Sequence, residues 1–558
     1  MRFVRLRFLL LPLALFWALA ASAVQLPQQG YVSTPHPLAT EVGIRVLGQG
    51  GNAVDAAIAV SAALAVVEPY GSGLGGGGFY LLRLHHQPQQ YFFLDARETA
   101  PAAAGADLYL LDGQVQRELS LDGALAAAIP GLAAAFDALQ EHARLPLAQN
   151  LQPAIELARQ GFAVDATYVE RAGWRLSALQ RDAESSMIFL QQGQLPQPGW
   201  RLQQPELART MVLLAEHGAG AFYRGELAQR MVDAVRQAGG IWQLQDLQDY
   251  RAVWRQPLQV TLAQERLLIT SPPPSAGGLS IAQALLMLQQ LPWQQATGAQ
   301  QVHLIVEAMR RAYRDRGLLG DPDFIDNPLQ QLLAQEHLQQ LLAGLDTQRA
   351  SDSSKLGEFA PVHEGSQTTH FAVLDREGNA VAATLSLNMM FGAAFTVPDS
   401  GILLNDQMDD FAADVGASNA YGLVGSDANL IVAGKRPLSS MSPTFVESPS
   451  DFAAFGTPGG SRIPSMNLLA ILSYLQGEQV QQWVATARYH HQFLPDELGV
   501  EPGALPDEVI AELERMGHRV RTLGRNYGNQ QVIYWDKTSG SSAGASDPRG
   551  QGSSQPLP

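Results

Sequence analysis

Thr368 stands where a polar stretch containing Gly, Pro and several Ser, 351–367, gives way to a strand-like run, 368–374. A second strand-like run, 380–387, follows after Asp375-Arg376-Glu377-Gly378-Asn379, and together they read as a β-hairpin. A three-residue loop, 376–378, with Gly378 in the left-handed region, pairs Asp375 with Asn379. That register sets Thr368 opposite Ser386 on one face of the sheet, with Asn388 two residues further along it. A two- or four-residue loop would turn Ser386 to the opposite face. A threonine hydroxyl is a weak nucleophile and needs a base. If the chain is cut before Thr368, the new α-amino group supplies one, with a pKa of about 7.7 in a model peptide. Cross-strand hydroxyl pairs are ordinary in sheets. The junction of linker and strand at Thr368 is what favours chemistry here.

The surrounding pattern supplies the elements that must hold such a residue. Residues 36–48 have apolar positions at helical spacing, Gly50-Gly51-Asn52 breaks the run, and 53–66 is a second helix, apolar nearly throughout and therefore buried. A Gly-rich loop, 71–78, leads into strand-like runs at 79–82 and 91–94. The pattern over 121–350 is mostly helical, as at 132–142, 205–216 and 302–316. Residues 351–367 read as an exposed linker. The Ser/Gly/Pro-rich end, 539–558, reads as a loose tail.

The chain has 558 residues, 46% of them hydrophobic and 16% charged, which suits a large globular core and excludes a disordered chain. Arg2, Arg5 and Arg7, an apolar stretch over 9–20 and Ala21-Ser22-Ala23 form the pattern of a secretory signal peptide over residues 1–23. The expected location is periplasmic or secreted. With no cysteine there is no disulfide, thiolate metal site or cysteine nucleophile. The formal charge of −16, made more negative by loss of the three N-terminal Arg, disfavours nucleic acid as a partner.

The ordered motifs along the chain resemble those of the γ-glutamyltranspeptidases. They begin with Gly75-Gly76-Gly77-Gly78-Phe79, Asp95-Ala96-Arg97-Glu98 and Gly320-Asp321-Pro322-Asp323-Phe324. Thr368-Thr369-His370, Gly378-Asn379-Ala380, Leu387-Asn388, Ser400-Gly401-Ile402-Leu403-Leu404-Asn405 and Gln407-Met408-Asp409-Asp410-Phe411 follow. Pro437-Leu438-Ser439-Ser440-Met441-Ser442-Pro443, Gly456-Thr457-Pro458-Gly459-Gly460-Ser461-Arg462, His490-His491-Gln492 and Gly544-Ala545-Ser546-Asp547-Pro548-Arg549 complete the set. The resemblance implies a four-layer αββα sandwich of the N-terminal nucleophile hydrolase type. It implies a precursor that cuts itself between Gln367 and Thr368, giving a large chain, 24–367, and a small chain, 368–558, that stay associated. Thr368 would then attack γ-glutamyl donors such as glutathione, and water or an amino acid or dipeptide acceptor would take the glutamyl group.

The same resemblance assigns roles. Arg97 would clamp the donor α-carboxylate, with Ser439 and Ser440 adding hydrogen bonds. Asp410, Asn388 and Gln407 would receive the donor α-ammonium. The backbone at Gly459 and Gly460 would stabilise the oxyanion, Ser386 would assist Thr368, and Tyr421 would belong to a lid. The family usually carries Thr where this chain has Ser386. Taken singly, Arg97 reads as an ion-pair partner, Asp409-Asp410 as a cap, and Ser439-Ser440 and Gly459-Gly460 as turns. Their combination with the Thr368 segment reverses those readings.

No cofactor or catalytic metal is expected. Gly71-Ser72-Gly73-Leu74-Gly75-Gly76 follows a helix and precedes a strand, the reverse of a dinucleotide loop. The GxSxG match at 540–544 has no helix after it. His490-His491 have poor metal-ligand spacing, and Asp321, Asp323 and Asp326 lack the Gly and Glu of a calcium loop. The competing functions are a glutaryl- or cephalosporin-type acylase sharing Thr368, a protein working on poly-γ-glutamate, and an uncleaved, non-enzymatic binding protein. An acylase substrate without an α-ammonium would not need Asp410.

Overall fold

The computed structural model describes residues 24–87, 90–112, 114–356, 368–412 and 427–558. The signal-peptide segment, most of the linker before Thr368, and Tyr421 lie outside the described residues. Two antiparallel sheets form the centre. Their strands, in chain order, are β1 (Tyr31–Thr34), β2 (Gly77–Arg83), β3 (Tyr91–Ala96), β4 (Val253–Arg255), β5 (Leu258–Thr261) and β6 (Leu267–Thr270). They continue with β7 (Thr369–Leu374), β8 (Ala380–Ser386), β9 (Thr444–Glu447), β10 (Asp451–Gly456), β11 (Gln531–Asp536), β12 (Ser542–Ser546) and β13 (Ser553–Pro556). One sheet has the order β13-β1-β7-β8-β2-β3-β4 and the other β12-β11-β10-β9-β6-β5.

Strand alternation divides the core into layers. On β2, Phe79 and Leu81 pack between the sheets, while Tyr80 and Leu82 face helices. On β7, Ala372 and Leu374 face inward, and Phe371 and Val373 face the helices. Helices that include Pro37–Gly48, Ala53–Val67 and Leu147–Gln160 cover the first sheet. Gly277–Leu288, Gly298–Arg314, Ile463–Leu475 and Val480–Ala485 cover the second. The layers are therefore helix, sheet, sheet, helix.

Helix Ala53–Val67 shows the local logic. Asn52 caps it by accepting from the N–H groups of Val54 and Asp55, and Asp55 returns a bond to the Asn52 N–H. Every residue of the helix is buried, as its nearly all-apolar sequence requires. Pro69 cannot continue it, and the chain turns there, leaving Glu68 at the end of the helix.

Two expectations need correction. The Ser/Gly-rich end is not a loose tail: it supplies β12, paired with β11, and β13, paired with β1. Small side chains suit these strands because they pack closely; a Cβ on Gly544 would lie 2.2 Å from the Ser554 hydroxyl. The stretch 121–350 also contains β4, β5 and β6. Arg255 and Gln259 hide the strand character of the edge strands β4 and β5, and β6 is a four-residue run too short to stand out from the surrounding helical pattern.

Candidate active site

The hairpin register follows the three-residue loop. Asp375 N–H donates to the Asn379 carbonyl at 2.9 Å, and Gly378 has φ +83°. Thr369 pairs with Leu385, so Thr368, one residue before β7, lies opposite Ser386. Their hydroxyl oxygens are 3.5 Å apart, both buried. Ser386 Oγ accepts the Asn388 N–H at 2.8 Å, which orients the hydroxyl beside Thr368. The Gly-rich loop makes room here. A Cβ on Gly76 would sit 2.2 Å from the Ser386 carbonyl oxygen, so only glycine lets these backbones meet.

Asn388 is held at φ +78°, a region asparagine tolerates better than most residues. Its Nδ2 donates to the Asp406 carbonyl at 3.0 Å, and the Met389 N–H donates to Asp406 Oδ1 at 2.9 Å. Full burial pushes the Asp406 carboxyl well above the usual carboxylate range. The sites of Asn388 and of the short helical turn Gln407–Asp410 are thus tied together.

Arg97 follows β3 and is 1% exposed. It donates to Asp410 Oδ2 at 2.5 Å and to the Pro437 carbonyl at 3.3 Å, and lies 3.6 Å from Glu98. Gln407 Nε2 also donates to Asp410 Oδ2, at 2.7 Å. Asp410 Oδ1 and Gln407 Oε1 are buried and have no hydrogen-bond partner among the described residues. Ser439 and Ser440 are buried, and Arg316 approaches Ser440 Oγ at 3.4 Å. Arg97, Gln407, Asp410, Ser439 and Ser440 therefore form one polar cluster, closed by two cations.

Arg316 was not anticipated from the sequence. Burial pulls its guanidinium down to about 10 despite the nearby Asp410 carboxylate. It follows the long helix Gly298–Arg314, where a charged residue reads as a solvated end. Glu68 was missed as well. Its carboxylate accepts from the Thr369 hydroxyl at 2.8 Å and from Tyr70 at 3.1 Å, and burial raises it to about 7. An acid directly after a nearly all-apolar helix was the available signal.

Gly459 and Gly460 have φ +145° and +57° and open a helical turn, Gly460–Arg462, that runs into helix Ile463–Leu475. The turn shares a cavity with Thr368. A Cβ on Gly459 would lie 2.5 Å from the Met466 methyl. Backbone N–H groups at a helix start suit a developing negative charge.

His303, Glu307 and His518 come within ligand distance of one another. Most of their polar atoms are already committed, while His518 Nδ1 is buried with no hydrogen-bond partner among the described residues. His303 Nδ1 and His518 Nε2 share a proton at 2.8 Å, His303 Nε2 binds the Asp346 carbonyl, and Glu307 pairs with Arg310 and Arg311. Ser351 also bonds Glu307, and the Ser353 N–H donates to Asp496. The cluster anchors the first residues of the linker, where Ser353 is buried rather than exposed.

A threonine heading an inner strand of an αββα sandwich, beside a second hydroxyl and a glycine turn, defines an N-terminal nucleophile hydrolase fold. Similarity to known proteins narrows this further. The family model described as gamma-glutamyltranspeptidase matches residues 39–557. The glutathione hydrolase proenzyme of Pseudomonas sp. (strain A14) is 40% identical over 515 residues, covering 91% of this chain and 89% of that protein. That of Escherichia coli (strain K12) is 40% identical over 532 residues, covering 94% and 90%. Among solved structures, the cephalosporin acylase from Bacillus halodurans superposes with a TM-score of 0.83 at 26% identity, covering 95% of this chain and 96% of that chain. Helicobacter pylori gamma-glutamyltranspeptidase superposes with a TM-score of 0.56 at 33% identity, covering 58% of this chain and 93% of that chain. The chain belongs to the gamma-glutamyltranspeptidase family, and it is an enzyme.

Proposed function

We propose that the chain is a secreted enzyme that cuts itself between Gln367 and Thr368 and then hydrolyses or transfers the γ-glutamyl group of glutathione-like donors. The Thr368 hydroxyl attacks the donor γ-carbonyl, and the Thr368 α-amine takes its proton. The tetrahedral oxyanion rests on the N–H groups of Gly459 and Gly460. Collapse breaks the C–N bond, the amine proton passes to the leaving nitrogen, and a γ-glutamyl ester remains on Thr368. Water or the amine of an amino acid or dipeptide then attacks the ester and restores the hydroxyl. Ser386 orients the nucleophile in both the self-cleavage and the turnover.

The observation that carries the donor assignment is the pair of buried, unpartnered acceptors, Asp410 Oδ1 and Gln407 Oε1. Unpaired buried acceptors are costly, and a donor α-ammonium satisfies both. Its α-carboxylate would bind Arg97, replacing the single Arg97–Asp410 pair by two, with Ser439 and Ser440 beside it. A glutaryl group offers no ammonium, so the acylase reading leaves these acceptors unmet.

Intact mass of the purified protein beside a Thr368→Ala variant tests the nucleophile. The expected result is two fragments in the parent, the smaller beginning at Thr368, and one uncut chain in the variant. Paired γ-glutamyl and glutaryl anilides test the donor. Faster turnover of the glutaryl compound would overturn the assignment.

A further inference from the structure

Cutting the chain before Thr368 creates an amine, and hence a new cation, at a buried strand end. A buried acid stands beside that end. Glu68 and Thr368 line one cavity, together with Tyr70, Arg171 and Gly459. Glu68 is fixed by its place at the end of helix Ala53–Val67, where its N–H donates to the Leu64 carbonyl. Its Oε2 accepts the Thr369 hydroxyl at 2.8 Å, and its Oε1 accepts the Tyr70 hydroxyl at 3.1 Å. Thr369 thus ties the carboxylate to the residue next to the nucleophile. Two hydroxyls orient a carboxylate, but they bring no charge to balance it. Asp165 and Arg171, from the cap and body of helix Ala166–Trp174, act on Glu68 in opposite senses, and Arg171 acts the less strongly. The other arginines of the cavity have contacts of their own: Arg462 over the ring of Tyr527, Arg525 over that of Trp174, and Arg549 with Glu501 and Asp547. Burial outweighs these neighbours and raises the Glu68 carboxyl to about 7.

On the proposed reading that self-cleavage frees Thr368 and makes its α-amine the base, on which this inference rests, one proton moves in each acylation. As Thr368 Oγ forms its bond to the γ-carbonyl carbon, the hydroxyl proton passes to the amine, which becomes an ammonium. The ammonium then gives that proton to the leaving nitrogen. We propose that the Glu68 carboxylate is the counter-charge of this ammonium. The relation is that of the carboxylate to the charged imidazole in a Ser-His-Asp triad, with the α-amine in place of the imidazole. It also gives the buried acid a reason to be there: in the uncut chain it has only hydroxyls, and cleavage makes its partner.

Glu68→Gln keeps the shape of the side chain and removes its charge. The pH profile of γ-glutamyl anilide hydrolysis by the cut enzyme then tests the pairing. An opposite charge favours the protonated amine, so its loss lowers the amine pKa. The acid limb of kcat/KM should move down by about one pH unit in Glu68→Gln. On the plateau kcat should fall about tenfold or more, because the ammonium formed during attack is no longer balanced. Tyr70, Asp165 and the cavity arginines are common to both proteins, so they cancel in the comparison. Thr369→Val removes the same hydrogen bond from the other side but keeps the carboxylate, and its acid limb should stay with the parent's. Self-cleavage precedes the amine, so Glu68→Gln should slow it less than turnover, read by intact mass. An acid limb unmoved in Glu68→Gln, the same shift in both variants, or a loss of self-cleavage as large as the loss of turnover overturns the proposal while the parent remains cut and active. A parent never cut before Thr368 overturns the self-cleavage reading, and the pairing with it.

Discussion

At Thr368 the rate depends on where one hydroxyl proton goes. The facing Ser386 hydroxyl is 3.5 Å away and is itself oriented by the Asn388 N–H. Ser386→Ala should slow self-cleavage and lower kcat about 10- to 100-fold with little change in KM, since it removes orientation rather than donor binding. Time-resolved intact mass and steady-state kinetics check this, and Ser386→Thr should retain both activities. Asp410→Asn should raise KM for γ-glutamyl anilide at least about tenfold while affecting the glutaryl compound less. It also removes the nearer carboxylate of Arg97, leaving Glu98 at 3.6 Å, and breaking a buried ion pair typically costs ~3–5 kcal/mol, so thermal unfolding must be measured beside the kinetics. The juxtaposition of Thr368 and Ser386 was legible because one turn type fixes the parity of the hairpin. Arg316 and Glu68 were not, because each looks like an ordinary charge at a helix end until burial is known.

The strands that carry these residues are held by close contact between the two sheets. His370 on β7 points between them, bonds Thr384 through Nδ1 at 2.8 Å, and meets Gly456 of β10. A Cβ on Gly456 would sit 2.0 Å from the imidazole. Gly456→Ala should therefore destabilise the fold by ~1–3 kcal/mol through overpacking and impair self-cleavage by displacing β7; denaturant unfolding and intact mass check both. Burial lowers the His370 pKa from 6.5 to about 3. The imidazole is neutral in the fold but protonated in the unfolded chain across that interval. Its contribution is present above pH 6.5 and is lost as the pH falls toward 3, by up to ~1.4 kcal/mol per pH unit. His370→Asn should flatten the acid limb of stability by about one proton's worth, read as the slope of ΔG against pH relative to the parent. The terminal strands were harder to read. Ser and Gly mark turns and linkers in sequence, and only pairing partners far away, Tyr31–Thr34 for β13, turn such residues into a strand.

The whole molecule interleaves the two segments on either side of Thr368. In the first sheet, β1, from before the cut, lies between β13 and β7, both from after it, and β8 lies against β2. The second sheet joins β9 to β6 in the same way. Fragments ending at Gln367 and beginning at Thr368 should co-elute at the mass of the intact chain in non-denaturing chromatography and separate only in denaturant. Dissociation in plain buffer would contradict the shared sheets. The four layers were legible only through resemblance, since periodicity gives strands and helices but not which of them are neighbours.

The placement of β1 has a further result for the life of the molecule. While the chain is continuous, threading Tyr31–Thr34 between two later strands is an intramolecular search, with the partners tethered at high effective concentration. Once the bond before Thr368 is broken, the same arrangement requires two separate polypeptides to meet and interdigitate. Uncut Thr368→Ala protein should recover its native fold after dilution from denaturant at a rate independent of concentration. The cut protein should recover poorly, and only in proportion to how much of it is present. Self-cleavage thus acts as a ratchet: it is compatible with a fold already made, and it discards the route by which that fold was reached.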